Sequence, residues 1–269
     1  MRDMYRKLPM LGGQPREVSE VVNNIIEGKT NNTGEVTLNT GWATTTTIYN
    51  ERIGYNSIIL LTPTSAAAGA DKLPYGAFQD SSNQFTTANT PTVVLLNTTD
   101  FSNGIYLSSN KIYARNAGVY NYQFSLQFSN TDSQIQEVEV WLRKNGTNIA
   151  GTSSKYAVPN KHGSIDGYLI AVANFFVDLA AGDYVELVWA TTLAANSGGT
   201  VTGVYMEAYA SSTSPYTRPS VPSAVATLQY NQASASTNVY VSARTNGSAT
   251  LTHFANDTAD KTYGYVVIA

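Results

Sequence analysis

The chain has 269 residues, 42% of them hydrophobic and 13% charged, with 18 Tyr, 8 Phe, no Cys and a formal net charge of −3. Low net charge with many aromatics excludes a disordered chain, and the lack of cysteine excludes disulfides and thiolate metal sites. No apolar run reaches the ~18 residues of a membrane-spanning helix, and no Lys/Arg run offers the clustered charge that nucleic acid needs, so neither membrane insertion nor nucleic acid is expected.

Residues 1–13 mix apolar residues with the basic cluster Arg2, Arg6 and Lys7 and end at Gly12-Gly13. They read as an extended arm without the apolar run and cleavage site of a signal peptide. Pro15 opens a helical stretch. Val18, Val21, Val22, Ile25 and Ile26 fall at i, i+3, i+4, i+7, i+8, Glu17 and Glu20 suit the positive N-terminal end, and Gly28 is a plausible stop. One short amphipathic helix cannot bury its stripe alone, so it is expected to pack on a sheet or on another chain.

From Thr33 onward strand signals dominate. GEVTLNT, TTTTIY and NSIILLT are β-rich runs between turn residues. The run Ser57 to Leu61 is apolar on both faces, which predicts burial on both sides. TPTSAAAGADKLPYGA reads as linker. A longer series follows at 92–96, 111–114, 118–128, 137–144, 168–178, 183–191, 201–209 and 224–230. Its clearest member is YNYQFSLQFS, residues 120–129, a strict apolar/polar alternation. Asn145-Gly146 supplies a strong hairpin signal, and Asp183 is expected to cap its own turn. SPYTRPSVPS holds three of the nine prolines and reads as extended connection. STNVYVSAR, GSATLTHF and KTYGYVVIA complete the chain.

Eight strands at this spacing fit a two-sheet jelly roll. With strand groups flanking a self-contained middle, the reading is an insertion: an arm and helix at 1–32, a small discontinuous β-domain from 33–72 plus 233–269, and a jelly roll at 73–232. The fold class is all-β, a jelly-roll β-sandwich inserted into a small β-domain, with one short N-terminal helix. Trp141 lies opposite Val138, Val140 and Leu142 on its strand, and Tyr184 and Val188 oppose Val185, Leu187 and Trp189 on theirs. Apolar side chains on both faces predict cover by the core on one face and by a neighbouring subunit on the other.

The tokens AGVYNYQFS, WLRKNGT and AGDYVEL, together with YGAFQDSSNQFTTANT, NTTDFSNG and PSVPSAVATLQY, resemble the jelly-roll modules of tailed-phage virion proteins, related to the complement/tumour-necrosis-factor-like fold. The resemblance covers about residues 75–232. GKTNNTGEVTL, NERIGYNSIILLTPTSAAAGA and VYVSARTNGSATLTHFANDTADKTYGYVVI resemble a small β-domain that some tailed phages carry uninterrupted. Such jelly rolls pack as trimers, so the resemblance implies a homotrimer on the particle surface, a head fibre, spike or capsid decoration contacting other virion proteins. Attachment through the N-terminal region would use Arg6, Leu8, Val18, Val22 and Ile25. The alternative is a tail-fibre adhesin for a host surface receptor or glycan, with Tyr156, Asn160, His162 and Tyr168 in a receptor-facing loop.

Chemistry is poorly represented. His162 sits in a loop sequence and His253 near a strand end, and neither has the partners that a general base or metal site draws on. Asp166 and Glu186 are the carboxylates free to serve a depolymerase, but nothing in the sequence brings them together at the ~5–9 Å that glycoside hydrolysis requires. Asn130, Asp132, Asn256 and Asp257 have oxygen ligands suited to Ca²⁺, without the spacing of an EF-hand, and turn formation is the preferred reading. The expectation is no enzyme, no cofactor and no metal.

Overall fold

The computed structural model describes residues 7–10, 12–27, 30–70, 72–231 and 238–268. Arg6 and Gly28 lie outside them. In chain order the elements are α1 (Pro15–Ile26), β1 (Thr33–Thr37), β2 (Ala43–Tyr49), β3 (Ile58–Pro63), α2 (Ala66–Gly69), β4 (Tyr75–Asp80), β5 (Thr92–Val93) and β6 (Thr98–Asn103). They continue with β7 (Ile105–Ser108), β8 (Lys111–Ala114), β9 (Gly118–Asn130), β10 (Gln136–Lys144), β11 (Thr147–Asn148), β12 (Ser154–Val158) and β13 (Gly167–Leu179). The last are β14 (Tyr184–Thr191), β15 (Val204–Met206), β16 (Ala224–Tyr230), β17 (Val239–Thr245), β18 (Ser248–Asn256) and β19 (Thr262–Ile268). Two compact units result, one from 1–71 with 236–269 and one from 72–235.

The discontinuous unit is held by strands that join its two chain segments. Strand β19 lies between β1 and β3, and β18 lies between β17 and β2, all antiparallel. Each sheet therefore needs both flanks of the inserted segment before its central strand is paired on both sides. The core between them includes Leu38, Ile48, Ile59, Leu251, Tyr263 and Val267. Gly34 faces Tyr265 across the β1–β19 ladder, and a Cβ there would come within 2.0 Å of the tyrosine ring, so the position admits no side chain without moving that ring.

His253 lies three residues before the end of β18. It is buried within β18. Its Nδ1 lies 2.8 Å from the Phe254 carbonyl, which can only accept, so Nδ1 carries the proton. Nε2 lies 2.9 Å from the Thr46 hydroxyl, and that hydroxyl accepts the Asn39 N–H at 2.8 Å. The imidazole is a structural link between β2 and β18.

Two expectations for this unit need correction. Residues 57–61 are not buried on both faces: Ile58 and Leu60 are 56% and 54% exposed, because only one face of β3 meets the core. The stretch read as linker holds α2, whose first turn is capped by the Ser65 hydroxyl accepting from Ala68 N–H, and then the whole start of β4. Helix α1 forms where its periodicity places it. Glu17 accepts the Gln14 N–H at 2.9 Å at its start, and none of its residues is buried.

The inserted unit is an antiparallel jelly-roll sandwich. One sheet runs β11-β10-β14-β8-β7, with β12 on β10 and β5 on β14; the other runs β13-β9-β16-β4-β6, with β15 on β9. The alternation of 120–129 becomes the middle of the core: Tyr120, Tyr122, Phe124, Leu126 and Phe128 all point inward at 4% exposure or less. They meet Val138, Val140, Leu142, Val185, Leu187 and Trp189 of the facing sheet, with the Phe128 and Trp189 rings 5.5 Å apart. Asn145 and Gly146 adopt φ of 50° and 80°, the left-handed pair that a tight hairpin between β10 and β11 needs. Asp183 caps its turn as expected, accepting the Ala180 N–H at 2.8 Å and the Asn145 amide at 2.7 Å.

Candidate functional site

Strand β13 is an edge strand, and its pairing with β9 is continuous from Gly167↔Asn130 to Leu179↔Gly118. Its inward residues alternate with Tyr168, Ile170, Val172, Asn174 and Phe176 on the outside. Four of these are large and apolar, and Tyr168, Ile170, Val172 and Phe176 are 52%, 56%, 59% and 63% exposed. At a rise of about 3.4 Å per residue the stripe is ~27 Å long. On β9 the paired positions are Ser129, Gln127, Ser125 and Asn121, so a polar row borders the stripe on the sheet side. On the inward side Leu169, Ala173 and Phe175 are only partly buried against the core. A single chain thus covers neither face of β13 completely.

Side chains of this size, each more than half exposed, leave on the order of a few hundred Å² of contiguous apolar surface, which monomeric proteins seldom carry without a use. The free backbone edge is partly occupied: the Tyr156 hydroxyl on β12 donates to the Val172 carbonyl at 2.9 Å. What remains open is the outward face.

At one end the stripe runs into a groove of about 310 Å³ lined by Gln127, Phe128, Tyr168, Leu169, Ile170, Glu207 and Tyr209. The Tyr209 hydroxyl donates to Glu207 Oε2 at 2.7 Å, the Arg218 guanidinium lies 5.5 Å from the Tyr209 ring, and the rings of Tyr168 and Tyr209 meet edge-on at 6.3 Å. Burial, and then the hydrogen bond to Glu207, push the Tyr209 hydroxyl well above the ordinary phenol value. Burial pushes Tyr205 up to about 12. Both hydroxyls stay protonated as donors at neutral pH.

Of the residues singled out as a receptor-facing loop, Tyr156 and Tyr168 lie on strands. Asn160 and His162 occupy the β12–β13 connection, where His162 N–H donates to the Ile165 carbonyl at 2.8 Å. Only Tyr168 belongs to the stripe and groove. Of the docking set, Leu8, Val18, Val22 and Ile25 are all exposed, at 37%, 37%, 45% and 60%. Asp166 pairs with Lys161 at 3.0 Å at the entrance to β13, whereas Glu186 is buried on β14 of the other sheet. Asn130 and Asp132 form turns: the Asn130 amide donates to the Gln134 and Pro159 carbonyls, and Asp132 Oδ2 accepts from Gln134 N–H and the Gln136 amide. Asn256 likewise donates to the Thr258 carbonyl at 2.7 Å.

Of the face expected to be covered by a neighbour around Trp141, Tyr184 and Val188, the chain itself covers Val188 and packs against Tyr184, and it leaves Trp141 half-buried. Val188 is fully buried, Tyr184 packs against Tyr113 at 5.2 Å, and the Trp141 indole N–H donates to Asn148. Ile170, Val172 and Phe176 were missed, although the near-continuous apolar run GYLIAVANFFVDL carries the same two-faced signal.

No protein-family model matches the chain, and no curated protein does. Among solved structures, the globular domain of a zebrafish complement 1qA protein is similar at 12% identity and a TM-score of 0.35, over 59% of this chain and 98% of that chain. A likeness of this size carries no argument; the jelly-roll assignment stands on the strand pairing.

Proposed function

We propose that this chain is a non-enzymatic structural protein of a tailed-phage particle, a homotrimer on the particle surface whose copies meet along β13. The observation that carries the self-association is the exposed row Tyr168, Ile170, Val172 and Phe176 on an edge strand. The row is free of charge, as the centre of a face meant for its own copy should be. The trimer and the particle rest on the sequence resemblance. The second exposed apolar feature, the α1 stripe of Val18, Val22 and Ile25, is the proposed attachment surface to another virion protein.

Sedimentation equilibrium of the purified chain tests the first part: a trimer is expected at micromolar concentration, and a monomer at high concentration overturns the reading. Val22→Asp with Ile25→Asp tests attachment. The doubly substituted chain is expected to remain trimeric and to be missing from purified particles, and normal incorporation would end that assignment.

A further inference from the structure

The outer face of the opposite sheet carries a second built feature. A cleft of about 320 Å³ opens over β10, lined by Glu139, Trp141, Asn148, Ile149, Ala150, Gly151 and Ser153. Trp141 and Glu139 lie two residues apart on β10 and project to the same side, and the β11–β12 connection forms the facing wall. The indole is fixed. Its Nε1–H donates to Asn148 Oδ1 at 2.9 Å, and the Arg143 Nε–H donates to the same oxygen at 2.8 Å. Two N–H donors on one atom define it as the oxygen, so the Asn148 NH₂ points elsewhere with its donors free for a ligand. The Arg143 guanidinium lies over one face of the indole, 5.9 Å from the ring centre, which leaves the other face for a ligand.

Charge at the cleft is balanced. Lys155 bridges Glu137 at 3.1 Å and Glu139 at 3.5 Å, so two carboxylates face two cations, Lys155 and Arg143. A balanced rim disfavours an anionic or cationic ligand and leaves acceptors and donors for hydroxyls. An immobilised indole beside a carboxylate, an amide and a serine hydroxyl offers one flat apolar wall and several hydrogen-bonding groups. That combination matches a pyranose, whose axial C–H bonds make one face apolar while its rim is all hydroxyl.

We propose that this cleft binds a neutral saccharide, with a β-gluco-configured ring against Trp141 and ring hydroxyls on Glu139, Asn148 and Ser153. The site is on the sheet opposite to β13 and does not depend on the assembly proposed above.

Saturation-transfer NMR with methyl β-D-glucopyranoside on the full chain tests it. A single ring over one tryptophan predicts a Kd of about 1–10 mM, with the strongest transfer to the axial ring protons. Trp141→Ala is expected to abolish the signal, and Trp141→Phe to retain it several-fold weaker. Ala150→Arg, which fills the cleft from an exposed position and removes nothing from the core, should also abolish it. Absence of saturable transfer up to ~50 mM, or equal binding by Trp141→Ala and Ala150→Arg, overturns the proposal. Sedimentation of the same samples keeps the two readings apart: a monomeric wild type refutes the trimer and leaves the sugar result standing.

Discussion

Both outer faces of the sandwich carry large apolar side chains, yet the chain covers those on β14 and leaves those on β13 open. On the β10–β14 side, Val188 is completely buried, Tyr184 lies against Tyr113, and Lys111 sits 4.6 Å from the Tyr184 ring centre. On the β13 side, Ile170, Val172 and Phe176 stay more than half exposed. Position in the sheet explains the contrast. Strand β14 has β10 on one side and β8 and β5 on the other, whereas β13 has β9 on one side alone. A side chain on an interior strand has neighbours in both directions; one on an edge strand has half as many and needs a second molecule to complete its surroundings.

The sharpest way to break this comparison is one charge on each face. Val188→Asp places an unpaired carboxylate in a fully buried position and is expected to cost about 3–5 kcal/mol, enough to unfold the inserted unit in many conditions. Phe176→Asp places the same charge on a residue exposed to solvent in the single chain. Its effect on chain stability should stay within about 0.5 kcal/mol, while self-association falls by at least ~100-fold. Urea denaturation and sedimentation of the two variants check both halves. If Phe176→Asp associates normally, the open face is not where copies meet.

The periodicity of residues 120–129 was enough to place the heart of the core, since a strict period of two leaves a strand only one buried face. The helix α1, the Asn145-Gly146 turn and the Asp183 cap were legible for the same reason: each is a local rule with a local cause. Strands β4, β6, β7, β11 and β12 fall outside the strand candidates that periodicity gives. TTDFSN in β6 is mostly exposed and pairs only with β4, so its sequence has the polarity of a loop. YGAFQD in β4 has a glycine and an alanine where larger residues usually mark a strand, because the Phe78 ring lies over Gly76, within 2.6 Å of where a Cβ would be. The two-faced apolar signal at 184–189 matches a strand with apolar side chains on both faces, but who covers a face depends on strand order, and strand order is set by long-range pairing that no local window contains.

A smaller effect separates the two sheets at their shared corner. Lys144 on β10 donates to the Asp178 carbonyl on β13 at 2.9 Å and lies 3.4 Å from Asp183, so it links the sheets where the covered face ends. The Asn145 hydrogen bond, the Ala180 N–H and Lys144 hold the Asp183 carboxyl below the usual carboxylate range. A lowered folded value means that the stabilisation is complete above the unfolded value of about 3.9 and is lost as pH falls through the lower, folded one. Thermal melts from neutral pH to about pH 2 should show a fall in Tm below pH ~4 that is shallower in Asp183→Asn, at the expense of a lower plateau at neutral pH. An unchanged acid slope would remove Asp183 from the corner's stability.

The smallest expected effect concerns the face that both sheets share. Tyr122 is fully buried, its hydroxyl has no protein partner, and burial pushes that hydroxyl above the ordinary phenol range. An unpaired buried hydroxyl costs its desolvation and returns nothing, so Tyr122→Phe is expected to leave stability unchanged or raise it by about 1 kcal/mol, with self-association untouched. This fixes the scale for the outer faces. If removing one oxygen from the inner face costs more than the Asp183→Asn change, the core tolerates less than its packing suggests, and part of any loss seen in Val188→Asp would belong to general fragility of the sandwich. If Tyr122→Phe is neutral, the difference between the Val188 and Phe176 substitutions can be assigned to who covers each face.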